Sequence, residues 1–251
     1  MRPPPAYRYH TIILHPTEPV LLAVHDGDRW SLPAFDLAEP SFRTVRPLIR
    51  QVRDTLGAEV AVLRCVRNEY APASRSVARV YVAENLDAGW RPPRGAEWVD
   101  PSDLDRRTAV EPWQAEAVDG WTRDGDHPSR VPWARPGWFH DACAWTRNEL
   151  DRLGYRLAGP VEQLRSWTVS TVMTAATDRG TVYFKASPPI FAHEPVLTQA
   201  LAEQFPGHTP RVLAVDAERH WMLMADFGAT TLGDLEDEGA WREALRALAR
   251  I

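Results

Sequence analysis

At 251 residues, with 44% hydrophobic and 25% charged side chains, the chain is long enough for one large or two modest cores and has the composition of a soluble globular protein. A formal net charge of -5 argues against nucleic acid or an anionic membrane as a partner, and no apolar stretch approaches the roughly 20 residues of a membrane span. Cys65 and Cys143 are far apart and join no Cys-x-x-Cys or Cys/His cluster, and the first residues hold no signal-peptide core, so the reading is a reduced, cytoplasmic protein.

Residues 7 to 15 alternate as a strand, and Val20 to Val24 form a second, followed by the hairpin turn His25-Asp26-Gly27-Asp28 and then Trp30-Ser31-Leu32-Pro33. A helix is predicted with Val45, Leu48, Ile49, Val52 and Leu56 on one face, closed by Gly57 at its C-terminal cap. Strand-like runs follow at 60 to 66, 76 to 83 and 96 to 99, and Asp100 to Leu104 opens a short helix.

That order, with its "Trp-x-Leu-Pro" turn and a helix closing on "Leu-Gly", resembles a Nudix domain over about residues 5 to 125. The resemblance implies a helix that presents several carboxylates to a divalent metal. Registered on Gly57, the family's Gly-x5-Glu-x7-Arg-Glu-hydrophobic-x-Glu-Glu-x-Gly-hydrophobic element puts Asp36 at the first glycine and Phe42 at the first glutamate. Arg50 falls on the arginine, and Gln51, Asp54 and Thr55 fall on the three metal-side glutamates. Asp54 alone keeps an acid. Magnesium needs carboxylate oxygens and hydrolysis needs a base, so the expectation is a Nudix fold without Nudix hydrolysis. Glu39 and Glu69 are the candidate replacement acids; their ordinary role is surface charge.

The middle of the chain carries Trp90, Trp98, Trp113, Trp121, Trp133, Trp138 and Trp145, a density that reads as buried packing rather than a base-stacking platform. Asp124 to Ser129 is a polar breaker cluster, which makes residues 126–135 the expected linker. Domains are expected at 1–125 and 136–251.

From Pro136 a helical run bears Trp138, Phe139, Ala142, Trp145, Leu150 and Leu153 and ends at Gly154. Strands are predicted over 161 to 167 and 168 to 176, then the turn Thr177-Asp178-Arg179-Gly180, then the strand Thr181-Val182-Tyr183-Phe184-Lys185-Ala186. Among 29 lysines and arginines, Lys185 is the only lysine. A compact ammonium sits between phosphate oxygens and pairs with a carboxylate in a way that a guanidinium fork does not. A helix follows with Glu194 near its start and Leu197, Leu201 and Phe205 at helical spacing. Two strands, 211 to 215 and 220 to 224, lead into Ala225-Asp226-Phe227-Gly228 and a polar helix.

This succession resembles the N-terminal lobe of the aminoglycoside phosphotransferase and choline kinase-like family over about residues 136 to 251. The resemblance implies that Lys185 binds ATP phosphates, that Glu194 or, failing it, Glu203 pairs with Lys185, and that Met224, Ala225, Asp226 and Phe227 form the hinge beside adenine. No His-x-Asp-x-x-x-x-Asn pattern precedes Asp226, so its Asp-Phe-Gly reads as hinge and not as a magnesium-binding triplet. No Gly-x-Gly-x-x-Gly loop accompanies it. By the same resemblance, the catalytic loop and metal-binding aspartate would lie in a C-lobe beyond Ile251.

The expected fold class is therefore α+β: a Nudix-like α/β/α sandwich followed by a kinase-like N-lobe of antiparallel sheet plus helix, C-lobe absent. The expected function is the N-terminal part of an ATP-dependent small-molecule phosphotransferase, inactive alone, with ATP and Mg as cofactors of the completed enzyme. The alternatives are a non-catalytic binding or regulatory module, or a Nudix-type nucleoside diphosphate hydrolase with a divergent metal site. Expected partners are a nucleotide and a small-molecule acceptor, and an N-lobe without its other half predicts exposed apolar surface and self-association.

Overall fold

A computed structural model describes residues 6–37, 44–71, 76–125, 127, 130–228, 232–235 and 237–249. Glu39, Phe42 and part of the expected linker (Asp126, Pro128 and Ser129) lie outside them. The described residues form a mixed α+β protein with two sheets and five α-helices. Contacts divide the chain into a first unit, Met1–Asp141 with Arg165–Thr168, and a second, Ala142–Leu164 with Val169–Ile251.

The first unit holds a seven-stranded sheet built from β1 (Ala6–Leu14), β2 (Leu21–Asp26), β3 (Arg29–Ser31), β4 (Ala34–Leu37), β5 (Val60–Ala71), β6 (Ser76–Asn85) and β7 (Ala96–Val99). The order is β3-β2-β1-β6-β5, with β4 also pairing β1 and β7 pairing β2. The β1–β6 pair is parallel, and the other pairs are antiparallel.

Both faces of this sheet are covered, which is why β1 reads as Ile12-Ile13-Leu14 without a polar gap. On one face Tyr9, Ile13 and Tyr81 pack against Val45 and against Leu48 and Val52 of helix α1 (Arg46–Leu56). On the other, Ile12, Leu63, Val80 and Val82 pack against Ala115, Val118 and Trp121 of α2 (Pro112–Asp124). The result is a three-layer α/β/α arrangement. Helix α1 ends where the sequence predicts: Gly57 takes a left-handed φ of 67° and its N–H reaches Arg53 O at 2.8 Å.

Helix α2 departs from the sequence reading, which assigned this tryptophan-rich stretch to packing alone. Pro112 at the first turn and a buried stripe of Gln114, Ala115, Val118 and Trp121 carry the helical signal, and Gly120 in its middle weakens that signal. The Gln114 side chain accepts from Leu32 N at 2.6 Å, which ties the Trp-Ser-Leu-Pro turn to α2. The short helix expected from Asp100 is a single 3-10 turn, Pro101–Asp103, whose Ser102 N–H is capped by Asp100. Within the expected linker, Arg130, Trp133 and Ala134 are buried.

The second unit, with the end of β8 assigned to the first, carries a five-stranded sheet of β8 (Leu157–Ser166), β9 (Thr171–Thr177), β10 (Gly180–Ala186), β11 (Val212–Asp216) and β12 (Trp221–Ala225), in the order β11-β12-β10-β9-β8, with the β11–β12, β12–β10 and β10–β9 pairs antiparallel. Strands β8 and β9 meet at 167–170 rather than at 167/168. Ser166 Oγ donates to Leu63 O at 2.9 Å and Trp167 O accepts from Trp133 Nε1 at 2.7 Å, contacts within the first unit, to which Arg165–Thr168 belong.

Helix α3 (Trp138–Arg152) contributes Trp145, whose ring meets Phe184 and Trp221 edge-on at 5.8 and 5.6 Å. Helix α4 (Glu194–Gln204) links β10 to β11, and α5 (Glu238–Leu248) follows β12. Trp241, Leu245 and Leu248 recur on α5 at helical spacing and are exposed, as are Ile190, Val196 and Phe227. No described helix is long and apolar enough to cross a membrane.

Glu84 on β6 is an unusual buried acid, 4% exposed, accepting from Gly137 N at 2.6 Å just ahead of α3. Burial pushes its carboxyl from an ordinary 4.5 up to about 7, against the Gly137 N–H, with Asp141 adding to the rise. The folded state therefore keeps a proton that the unfolded chain gives up, and stability falls as pH rises from about 4.5 to about 7. The expected loss is about 3 kcal/mol across that window, absent in Glu84→Gln, which keeps an acceptor for Gly137 N. Urea unfolding of both proteins at stepped pH checks this; equal slopes would exclude Glu84 as the source.

Candidate functional site

Strand β10 alternates: Val182, Phe184 and Ala186 are buried, while Thr181, Tyr183 and Lys185 are half-buried. Phe184 of the buried set meets Trp145 and Trp221, and the alternation commits Lys185 to the opposite face. Its cross-strand neighbours are Val172 of β9 and Met222 of β12, and two residues earlier Tyr183 lies between Thr174 and Met224.

Lys185 Nζ donates to Glu194 Oε1, and Ser187 Oγ donates to Glu194 Oε2. Glu194 opens α4, where a carboxylate also meets the positive end of the helix dipole. Burial disfavours its charge, but the hydrogen bonds from Lys185 and Ser187, the Lys185 ammonium and the nearby His193 outweigh that and hold the carboxyl below the usual range. Glu203, the other candidate partner, stands nine residues on, half a turn around the helix and about 13 Å along it, and is exposed. Among the described residues the ammonium donates to Glu194 alone, which leaves two of its three donors for a ligand. With 24% of the Lys185 side chain exposed, the pair is accessible from solvent.

The expected hinge residues follow in register. Met224 and Ala225 end β12 opposite Tyr183 and Val182. Asp226 N donates to Thr181 O at 3.2 Å, and the Asp226 side chain accepts from Gly228 N at 2.9 Å. Phe227 is exposed. Lys185 stands three residues along β10 from Val182, the partner of Ala225, a span of about 10 Å. Ser187 was not singled out from the sequence, although the two-residue period that places Lys185 also places it.

In the first unit, Arg50, Asp54 and Thr55 of α1 are exposed and Gln51 Nε2 donates to Thr55 Oγ1 at 3.3 Å. Asp36 pairs loosely with Arg8 at 3.6 Å, and Glu69 with Arg67 at 2.7 Å. No group of three or more His, Cys, Asp or Glu that could hold a metal ion occurs among the described residues.

A cleft of about 720 Å³ lies between β5 and α2, lined by Arg64, Arg67, Glu116, Gly120, Trp121 and Asp124 among others. Arg64 pairs with Asp124 at 2.7 Å and Arg67 reaches Glu69 and Glu116, so the charges of this cleft answer one another. Elsewhere in this unit His10 is buried edge-on to Trp113, and burial and Arg8 lower its pKa to about 4, which leaves the ring neutral.

No family model matches the chain, and no curated protein matches it. Among solved structures, a NUDIX hydrolase from Nitrosomonas europaea is 15% identical over 51% of this chain and 76% of its own, with a TM-score of 0.42. An ADP-ribose pyrophosphatase from Streptococcus suis is 18% identical over 48% and 94%, with a TM-score of 0.36. The C. elegans Ap4A hydrolase is 11% identical over 47% and 97%, with a TM-score of 0.38. A Sinorhizobium meliloti protein, 14% identical over 49% of this chain with a TM-score of 0.40, is spanned over only 40% of its length. Each likeness covers about half of the chain, and values this low carry neither activity nor substrate across.

Proposed function

We propose that the second unit binds the phosphates of a nucleotide, ATP by its resemblance, through Lys185, and that it is the N-terminal part of an ATP-dependent small-molecule phosphotransferase. The observation that carries this reading is the lysine of β10 held by the first residue of α4. Phosphoryl transfer asks such a unit for positioning and charge neutralisation, and a preset ammonium with two open donors supplies both. The half-buried Tyr183 and Met224, on the same face as Lys185 and toward the Ala225–Phe227 end, are suited to the flat base of a nucleotide whose phosphates reach Lys185. Phosphotransfer itself needs a catalytic loop and a metal-binding acid, and these residues contain no His-x-Asp-x-x-x-x-Asn sequence. The acceptor is a small-molecule hydroxyl, with Mg accompanying ATP. Self-association is the expectation for an N-lobe without its other half, and the exposed Phe227, Trp241, Leu245 and Leu248 are apolar surface that could serve it.

For the first unit we infer a Nudix-like scaffold that does not hydrolyse diphosphates. Its three layers and the helix ending at Gly57 support the first part, and Gln51 and Thr55 in place of acids support the second. ADP-ribose and Ap4A with magnesium should give no turnover above buffer; clear magnesium-dependent hydrolysis would reverse this assignment.

Lys185→Ala is expected to weaken ATP binding at least tenfold in calorimetry, since a charge-assisted contact contributes about 1.5–3 kcal/mol. Unchanged affinity would remove Lys185 from the site. Glu194 adds a pH signature of opposite sign to that of Glu84. Its lowered carboxyl contributes stability above the ordinary carboxylate value and loses it as pH falls through the folded value. Glu194→Gln should therefore be about 1 kcal/mol less stable near neutral pH, with the gap closing in acid. Thermal unfolding of both proteins across that range reads the difference, and a constant gap would show that the pair is not its source.

A further inference from the structure

We propose that Ser187 is a positioning residue for the Lys185 site, its hydroxyl fixing the second oxygen of Glu194 so that ammonium and carboxylate are set before a ligand arrives. This rests on the reading of Lys185 as a phosphate ligand. A lysine and a glutamate joined only to each other must both be ordered by one contact, and both long side chains lose rotamer freedom in doing so. Ser187 has a single rotor and is 1% exposed, so it supplies an anchor that needs little ordering of its own.

Its place is fixed from several sides. Pro188 follows it and disfavours helical backbone at Ser187, which keeps the chain extended past the end of β10. The two-residue period then turns Ser187 toward the same side as Lys185. Ser187 N donates to His220 O at 3.1 Å. His220, with φ at 57°, is the non-glycine with positive φ among the described residues, in the left-handed region that a tight turn requires. The turn before β12 thus holds Ser187, Ser187 holds Glu194, and Glu194 holds Lys185.

Because Lys185 is the only lysine, growth on 15N-lysine yields a single side-chain ammonium signal, and its pH dependence reports the protonation of the neighbouring Glu194. Ser187→Ala is expected to move that step to higher pH and to lower MgATP affinity about tenfold, whereas Ser187→Thr, which keeps the hydroxyl, restores both. Ser187→Cys, a weak donor of similar shape, gives the same reading should the alanine variant not fold. An ammonium profile in Ser187→Ala superimposable on that of the parent protein overturns the proposal. A parent protein that binds no ATP, while Ser187→Ala still shifts the profile, overturns the phosphate-ligand reading and upholds the role of Ser187 in setting the pair.

Discussion

Burial of Val182, Phe184 and Ala186, with Phe184 set against Trp145 and Trp221, is the constraint from which the geometry of the second unit follows. Three aromatic rings, with centroids 5.5 to 5.8 Å apart, fill that face. A strand cannot present two consecutive side chains to one face, so the apolar set directs Lys185 to the other. Seven pairs with β9 and five with β12 hold the register. A slip of one residue would bury the ammonium among tryptophans and expose Phe184, and the penalty for an unpaired buried charge closes that alternative.

The first unit uses a helix on each sheet face and spends its inward positions on packing. Helix α1 buries Leu48 and Val52, and its outward positions carry Arg50, Asp54 and Thr55. Two polar groups inside this unit act between elements: Gln114 fastens a turn to α2, and Glu84 receives the N–H of Gly137 ahead of α3. Arg79 of β6 reaches Tyr9 of β1 at 2.7 Å and Asn68 of β5 at 2.9 Å, joining three strands from within.

Glu84 and Glu194 show how far environment governs one side chain. Each accepts a backbone or side-chain donor and each is at least partly buried. For Glu84 desolvation prevails, because one N–H and a neighbouring acid do not replace water around a carboxylate. For Glu194 an ammonium and a hydroxyl do replace it, and the charged form prevails. The first carboxyl contributes its stability in acid and loses it toward neutral pH, while the second contributes above the ordinary carboxylate range and loses it in acid.

The sequence by itself determined the elements whose signals are local. Gly57 ends α1, the Thr177–Gly180 turn precedes β10, and the only lysine sits on a strand followed by a helix with an acid in its first turn. Each depends on neighbours a few residues away, through backbone conformation or periodicity. The tertiary structure decided what depends on matching separate elements. Glu194 rather than Glu203 meets Lys185 because α4 presents its first turn to β10. Ser187 enters the site because its backbone is tied to His220, 33 positions on. The α2 stripe finds its partners only in the fold, where Gln114 accepts from Leu32, and Glu84 shows itself a buried acid only there, with Gly137 N as its donor. Partner choice across the fold is set by register and packing between segments, and for pairs such as Leu32 with Gln114 or Ser187 with His220 no short window of sequence contains both sides of it.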